Sequence, residues 1–257
     1  MAALKEILTF LDNILEISEY PDDPSNNGLQ FQGRNEVRKA VFAVDACEAL
    51  FTIASDLDAD FIFVHHGISW GNGFRRIQGI HARRLSLLAS EGISLYAVHL
   101  PLDANPLIGH NALIAGMIPL RDLQPFGTYH HYKIGFSGTL EKAASPLALA
   151  RLLNQKLPSE GEYRILGNKT EKVSKIGVIS GGGAFPELFD EIYDSDIECL
   201  VTGSAEHEVF HPAMETGTSI ITLGHYRSEI PGVLAVMNSL TREFGIESEF
   251  IDLPTGL

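Results

Sequence analysis

Positive charge is scarce in this sequence. Its 257 residues carry 19 lysines and arginines against 33 aspartates and glutamates, a formal net charge of −14. A surface built to grip duplex nucleic acid would work against that field, so nucleic acid is disfavoured as the main partner. Cysteine is nearly absent too. Cys47 and Cys199 stand far apart in apolar segments and read as reduced, buried thiols, which suits a cytoplasmic protein and excludes a disulfide scaffold. No apolar run approaches the ~20 residues of a membrane span. The opening stretch MAALKEILTFLDNIL spaces its apolar residues helically around Lys5, Glu6 and Asp12, unlike the uninterrupted core of a secretion signal. Neither cysteine has a histidine close in sequence, so covalent catalysis by a cysteine nucleophile finds no support. The glycine run Ser180 to Gly183 lacks the Lys-Ser/Thr of a phosphate loop and reads as a flexible turn from strand to helix.

What is present is an alternation of strands and helices. Strand-like runs at 40–44, 61–64 and 95–98 are separated by helical patterns around 48–57 and 81–90. A second set has strands near 175–179, 199–202 and 219–223, with helices near 186–193, 206–215 and 231–244. That rhythm predicts an α/β protein with mixed or parallel sheets flanked by helices. The two sets also align. VFAVDACEALFTIASDLDADFIFVHH parallels IGVISGGGAFPELFDEIYDSDIECLVTG, and EGISLYAVHLPLD parallels ETGTSIITLGHYRSE. Both of the latter end in a histidine with an acid four positions on, His99 with Asp103 and His225 with Glu229. We read an internal duplication into two similar units, residues 1–125 and 126–257, joined through 119–138, which is rich in turn residues and has no helical period.

The chemistry gathers at strand ends. Phe61 to Val64 reads as a strand buried on both faces, and it runs into His65 and His66 at the carboxyl end where α/β sheets bind ligands. Asp103 follows another strand, and His225 and Glu229 follow the last. Imidazole and carboxylate without thiolate suit divalent Zn, Fe, Mn or Ni. Five donors exceed one tetrahedral ion. Neighbours on an extended chain point apart, so His65 and His66 do not easily share one ion, but if the backbone turns there they can approach two, with a carboxylate bridging the ions at about 3.5–4 Å. Glu229 is the candidate bridge, since a helix is predicted to begin at Ser228 or Glu229 and favours negative charge there. His99 is either a further ligand or a proton-handling neighbour. Glu206 and His207 either position a water or substrate or lie on the polar face of a helix. His81, His110, His130, His131 and His211 are read as structural or surface residues, and Ser25 to Gln30 as a polar turn explained by turn chemistry.

Five motifs together resemble a known family. SNNGLQFQG, FIFVHHGISW, YAVHLPLDAN, VTGSAEH and GHYRSEIPGV are similar to those of the dinuclear-metal-centre hexameric proteins, the NIF-three-like family of GTP cyclohydrolase 1 type 2 homologues. Ser25-Asn26 stands where Trp-Asp is usual, Pro101 where Asn is common, and Gly67 where Pro often follows the histidines. The resemblance implies two metal ions held by His65, His66, Asp103, His225 and Glu229 in a cleft between two α/β domains. It also implies a ring-shaped homohexamer, a trimer of dimers. The expected function is a dinuclear-metal-dependent hydrolase acting on a small substrate such as a purine nucleotide, with a metal-binding hexameric scaffold, sensor or storage protein as the alternative.

Overall fold

The computed structural model describes residues 1–71 and 76–257. From the first residues the chain forms β1 (Ala2–Ala3), α1 (Leu4–Leu15), β2 (Gly28–Phe31), β3 (Glu36–Val37), β4 (Lys39–Asp45), α2 (Glu48–Asp56), β5 (Phe61–His66), α3 (Ile80–Glu91) and β6 (Ser94–Ala97). The short α4 (Leu100–Ala104) and α5 (His110–Ala115) precede a long hairpin of β7 (Leu120–Tyr129) and β8 (Tyr132–Ala144). There follow α6 (Pro146–Lys156), β9 (Arg164–Leu166), β10 (Val173–Ile179), α7 (Leu188–Asp194), β11 (Cys199–Thr202), α8 (Phe210–Thr216) and β12 (Ser219–Thr222). Last come α9 (His225–Ser228), α10 (Ile230–Phe244) and β13 (Glu247–Phe250). Among the described residues no helix is long and apolar enough to cross a membrane.

The chain divides into two compact units, Met1–Leu102 with Val233–Leu253, and Asp103–Gly232 with Pro254–Leu257. In the first, the sheet order is β13-β4-β5-β6-β2, all parallel except β2 at one edge. Both faces of the sheet are covered, which is why β5 is apolar without interruption from Phe61 to Val64. One face packs Val41, Leu50, Phe51, Ile62, Val64 and Leu88 together. On the other face, aromatic rings line up across the strands, with centroids 5.6 Å apart for Phe42 and Phe63 and 5.9 Å for Phe63 and Tyr96. Each such buried ring contributes about 2 kcal/mol over an exposed one. The Tyr96 hydroxyl donates to Asp12 Oδ1 at 2.6 Å on α1, whose buried Leu4, Ile7, Leu11 and Leu15 recur at helical spacing.

In the second unit the order is β7-β8-β10-β11-β12-β9, with β10, β11 and β12 parallel and the outer pairings antiparallel. Its core joins Leu149, Leu153, Ile176, Val178, Val201 and Ile221. Cys199 belongs to that core, and burial pushes its thiol up to about 12, so it is inert, as its apolar setting predicted. Helix α6 starts cleanly because the Ser145 hydroxyl accepts from the Ala148 N–H at 3.2 Å and Pro146 takes the first turn.

Two expectations need correction. The units do not part at residue 125. The break falls between Leu102 and Asp103, and most of α10 together with β13 belongs to the first unit, because β13 pairs in parallel with β4, Glu247 opposite Lys39 and Phe250 opposite Phe42. Residues 120–129 are also no linker but an edge strand, paired with β8 through a bulge between Arg121 and Gln124. Only an edge strand tolerates Pro125, and most of its side chains are exposed, so no apolar period marks it.

Candidate metal centre

In the first unit, β5 delivers His65 and His66 at its carboxyl end and His99 lies two residues beyond β6. Each ring is oriented through Nδ1. His65 Nδ1 lies 2.8 Å from the Val98 carbonyl oxygen, His66 Nδ1 2.8 Å from Asp45 Oδ1, and His99 Nδ1 3.0 Å from Asp23 Oδ1. All three partners only accept, so Nδ1 carries the hydrogen and Nε2 the lone pair in each neutral ring. Metal-ligating histidines are typically prepared in this way. One nitrogen from each of the three rings lies within 4.8 Å of the other two. The rings of His65 and His66 sit 4.5 Å apart, so the two neighbours do not diverge as strand alternation implied, since His66 is the last strand residue. The Trp70 ring stands edge-on to His99 at 5.1 Å, fixed by its own N–H donating to the Gly67 carbonyl at 2.9 Å.

The segment from Asp23 to Gln30 does more than turn. Asp23 is fully buried, and its carboxylate accepts from His99 and the Ser25 N–H on one oxygen and from Asn27 Nδ2 and the Leu100 N–H on the other. Burial alone would push that carboxyl up. The hydrogen bond and charge of His99, with the Asn27 and Ser25 bonds, outweigh it and hold Asp23 below the usual carboxylate range. Asn27 Oδ1 also accepts from the His99 backbone N–H at 2.8 Å. Gln30 Oε1 accepts from the N–H groups of Ile68 and Ser69, and Asn26 donates to Ser69 Oγ, which ties down the loop that carries Trp70. Turn chemistry by itself therefore does not account for this stretch. Nothing in the sequence separated Asp23 and Asp45 from the other acids.

In the second unit, Glu229 is the residue between α9 and α10, buried to 3% exposure and placed immediately before Ile230, where a helix start favours a carboxylate as predicted. His225 opens α9, and its Nε2 lies 3.2 Å from Glu229 Oε1. Ser204 Oγ is 3.4 Å from His225 Nδ1. Asp103, also buried, accepts from Ser180 Oγ at 3.2 Å. His110, read as structural or surface, is completely buried, with a ring nitrogen within 4.8 Å of an Asp103 oxygen. Its Nδ1 accepts from the Gly232 N–H at 3.1 Å, so in the neutral ring Nε2 carries the hydrogen and His110 is a donor there, not a lone-pair ligand. Glu206 and His207 are exposed, Glu206 just before and His207 at the start of a short 3-10 turn, and the helix predicted over 206–215 begins only at Phe210. His81, His130, His131 and His211 are exposed as expected.

The profile of the Duf34/NIF3 (NGG1p interacting factor 3) family matches residues 2–255. The chain belongs to this family. The Duf34/NIF3 chain is 43% identical over 254 residues to the GTP cyclohydrolase 1 type 2 homolog of Archaeoglobus fulgidus, covering 99% of both chains. It is 42% identical to the protein of the same name in Pyrococcus horikoshii, covering 98% of both. A crystal structure of a Thermus thermophilus protein superposes with a TM-score of 0.85 at 37% identity over the whole of both chains. This Duf34/NIF3 protein has histidine and carboxylate groups that could bind a metal ion. Imidazole nitrogens and carboxylate oxygens, with Cys199 sealed in the core, fit zinc, iron, manganese or nickel.

Proposed function

We propose that His65, His66, Asp103, His225 and Glu229 together hold two divalent ions, Glu229 bridging them, and that the protein is a metal-dependent hydrolase of a small electrophilic substrate. The observation that carries this reading is the locking of Nδ1 on all three imidazoles of the first unit, which turns three lone pairs to one locality. When bound, such an ion pair supplies Lewis acidity, activating water near neutral pH and stabilising charge on the attacked group. The residues of the chain bind and orient. His65 and His66 contribute neutral nitrogens, Asp103 and Glu229 balance the cationic charge, and His99, backed by Asp23, is the proton-handling residue. A purine nucleotide is the first substrate to try, because the curated relatives carry the GTP cyclohydrolase name. The net charge of −14 opposes a polyanion at long range, and bound cations reverse that field locally. A cytoplasmic homohexamer completes the reading, checked by sedimentation of the purified chain.

The second reading is a hexameric metal-binding scaffold, sensor or store without turnover. The exposure of Glu206 and His207, the residues assigned to handling water or substrate, favours it. Glu229→Gln separates the two. The enzyme reading expects loss of metal, counted by elemental analysis, together with loss of turnover on GTP or on a panel of small esters. Metal lost with no turnover in the wild type on any of them supports the scaffold.

A further inference from the structure

We propose that the turn from Ser180 to Gly183, at the carboxyl end of β10, is the platform that positions both buried acids of the second unit. The inference rests on reading Asp103 and Glu229 as metal ligands. Ser180 is buried, and its hydroxyl donates to Asp103 Oδ1 at 3.2 Å. Its own place is set by Asn111, whose Oδ1 accepts from the Ser180 N–H while its amide donates to the carbonyls of Asp103 and Ile134. One residue on, Gly181 holds φ +58°, and a Cβ there would overlap Glu229 Oε1. The Gly181 N–H donates to Ser228 Oγ at 2.9 Å, and that hydroxyl donates onward to the His225 carbonyl at 2.8 Å. The turn therefore reaches Asp103 through a hydroxyl and the His225–Glu229 segment through bare backbone.

The three adjacent glycines serve different ends. Gly181 keeps space for a carboxylate. Gly182 is exposed, and a Cβ would sit 3.6 Å from His225 Cε1, an ordinary contact. Gly183 has no room because of Ile179, the last residue of β10, so a side chain there would disturb packing rather than the acids.

Single alanine substitutions test this in the full chain, with metal-free melting temperature and Co2+ binding, by titration and absorption spectrum, as readouts. Gly182→Ala leaves both unchanged. Gly183→Ala lowers the metal-free melting temperature, while the folded protein binds Co2+ with the wild-type spectrum. Ser180→Ala and Gly181→Ala weaken Co2+ binding about 10-fold to 100-fold and change the spectrum, the scale on which residues supporting metal ligands act. Should Gly181→Ala fail to fold, Ser180→Ala decides. Wild type binding Co2+ while Ser180→Ala and Gly181→Ala bind it equally tightly overturns this inference alone; a wild type that takes up no Co2+ overturns the metal reading and this inference with it.

Discussion

Both units are built on three parallel strands, β4-β5-β6 in one and β10-β11-β12 in the other, each with an antiparallel strand added beyond the third. Their donors differ in kind. The first unit offers imidazoles, each held at Nδ1 by an oxygen acceptor, and the second offers two buried acids and one histidine. The means of control follow from the chemistry. An imidazole has two tautomers, so it must be given an acceptor to choose between them, whereas a carboxylate has two equivalent oxygens and must be given space and donors. The shared His-x-x-x-acid spacing makes the same point. His225 pairs with Glu229 one helical turn away, while His99 turns to Asp23 and Asp103 is held by Ser180.

The contrast can be broken most severely by removing one donor from each side. His66→Ala and His225→Ala should each cut the metal content of the whole chain by at least one ion, counted by elemental analysis. Either variant keeping full metal would mean that one unit's donors suffice. Next in size is Asp23→Asn. Losing the buried carboxylate that fixes His99 and the Asn27 and Leu100 donors should cost about 2 kcal/mol of stability, read by urea melts. Asp60→Asn sharpens the comparison by touching only the first unit's frame. Burial pushes the Asp60 carboxyl up, but bonds from the Arg38 side chain and backbone, from Arg34 and from the Lys39 N–H win, so its pKa lies below the usual range. A lowered folded pKa stabilises fully above the unfolded value of about 4 and is lost as pH falls through the folded one. The variant should therefore be less stable than wild type, by about 1–3 kcal/mol in urea melts, at pH 7 and pH 5, and the gap should close as pH drops below about 4. The smallest effect concerns Trp70, the sole tryptophan. Co2+ binding should quench its fluorescence, because the ring stands 5.1 Å from His99, and Trp70→Phe should bind Co2+ within about threefold of wild type.

Much of the architecture was legible along the chain because apolar periodicity is a local signal. The runs at 61–64, 199–202 and 219–223 became β5, β11 and β12, and the helical patterns at 48–57, 81–90 and 231–244 became α2, α3 and α10. The hairpin β7–β8 was missed because an edge strand with mostly exposed side chains shows no such period, and the reach of β13 back to β4 is a pairing between distant positions that no window of sequence contains.

By itself the sequence determined most of the core strands and helices and the types of donor available, since these depend on residue chemistry and short-range repeats. The tertiary structure alone decided how each donor is held. That Asp23 rather than any other acid faces His99, that His110 accepts from Gly232 and so is a donor at Nε2, and that Gly181 leaves room for Glu229 are matters of a few ångströms between residues far apart in the chain. Hydrogen bonds and excluded volume act only at contact, so nothing short of the folded chain could assign them.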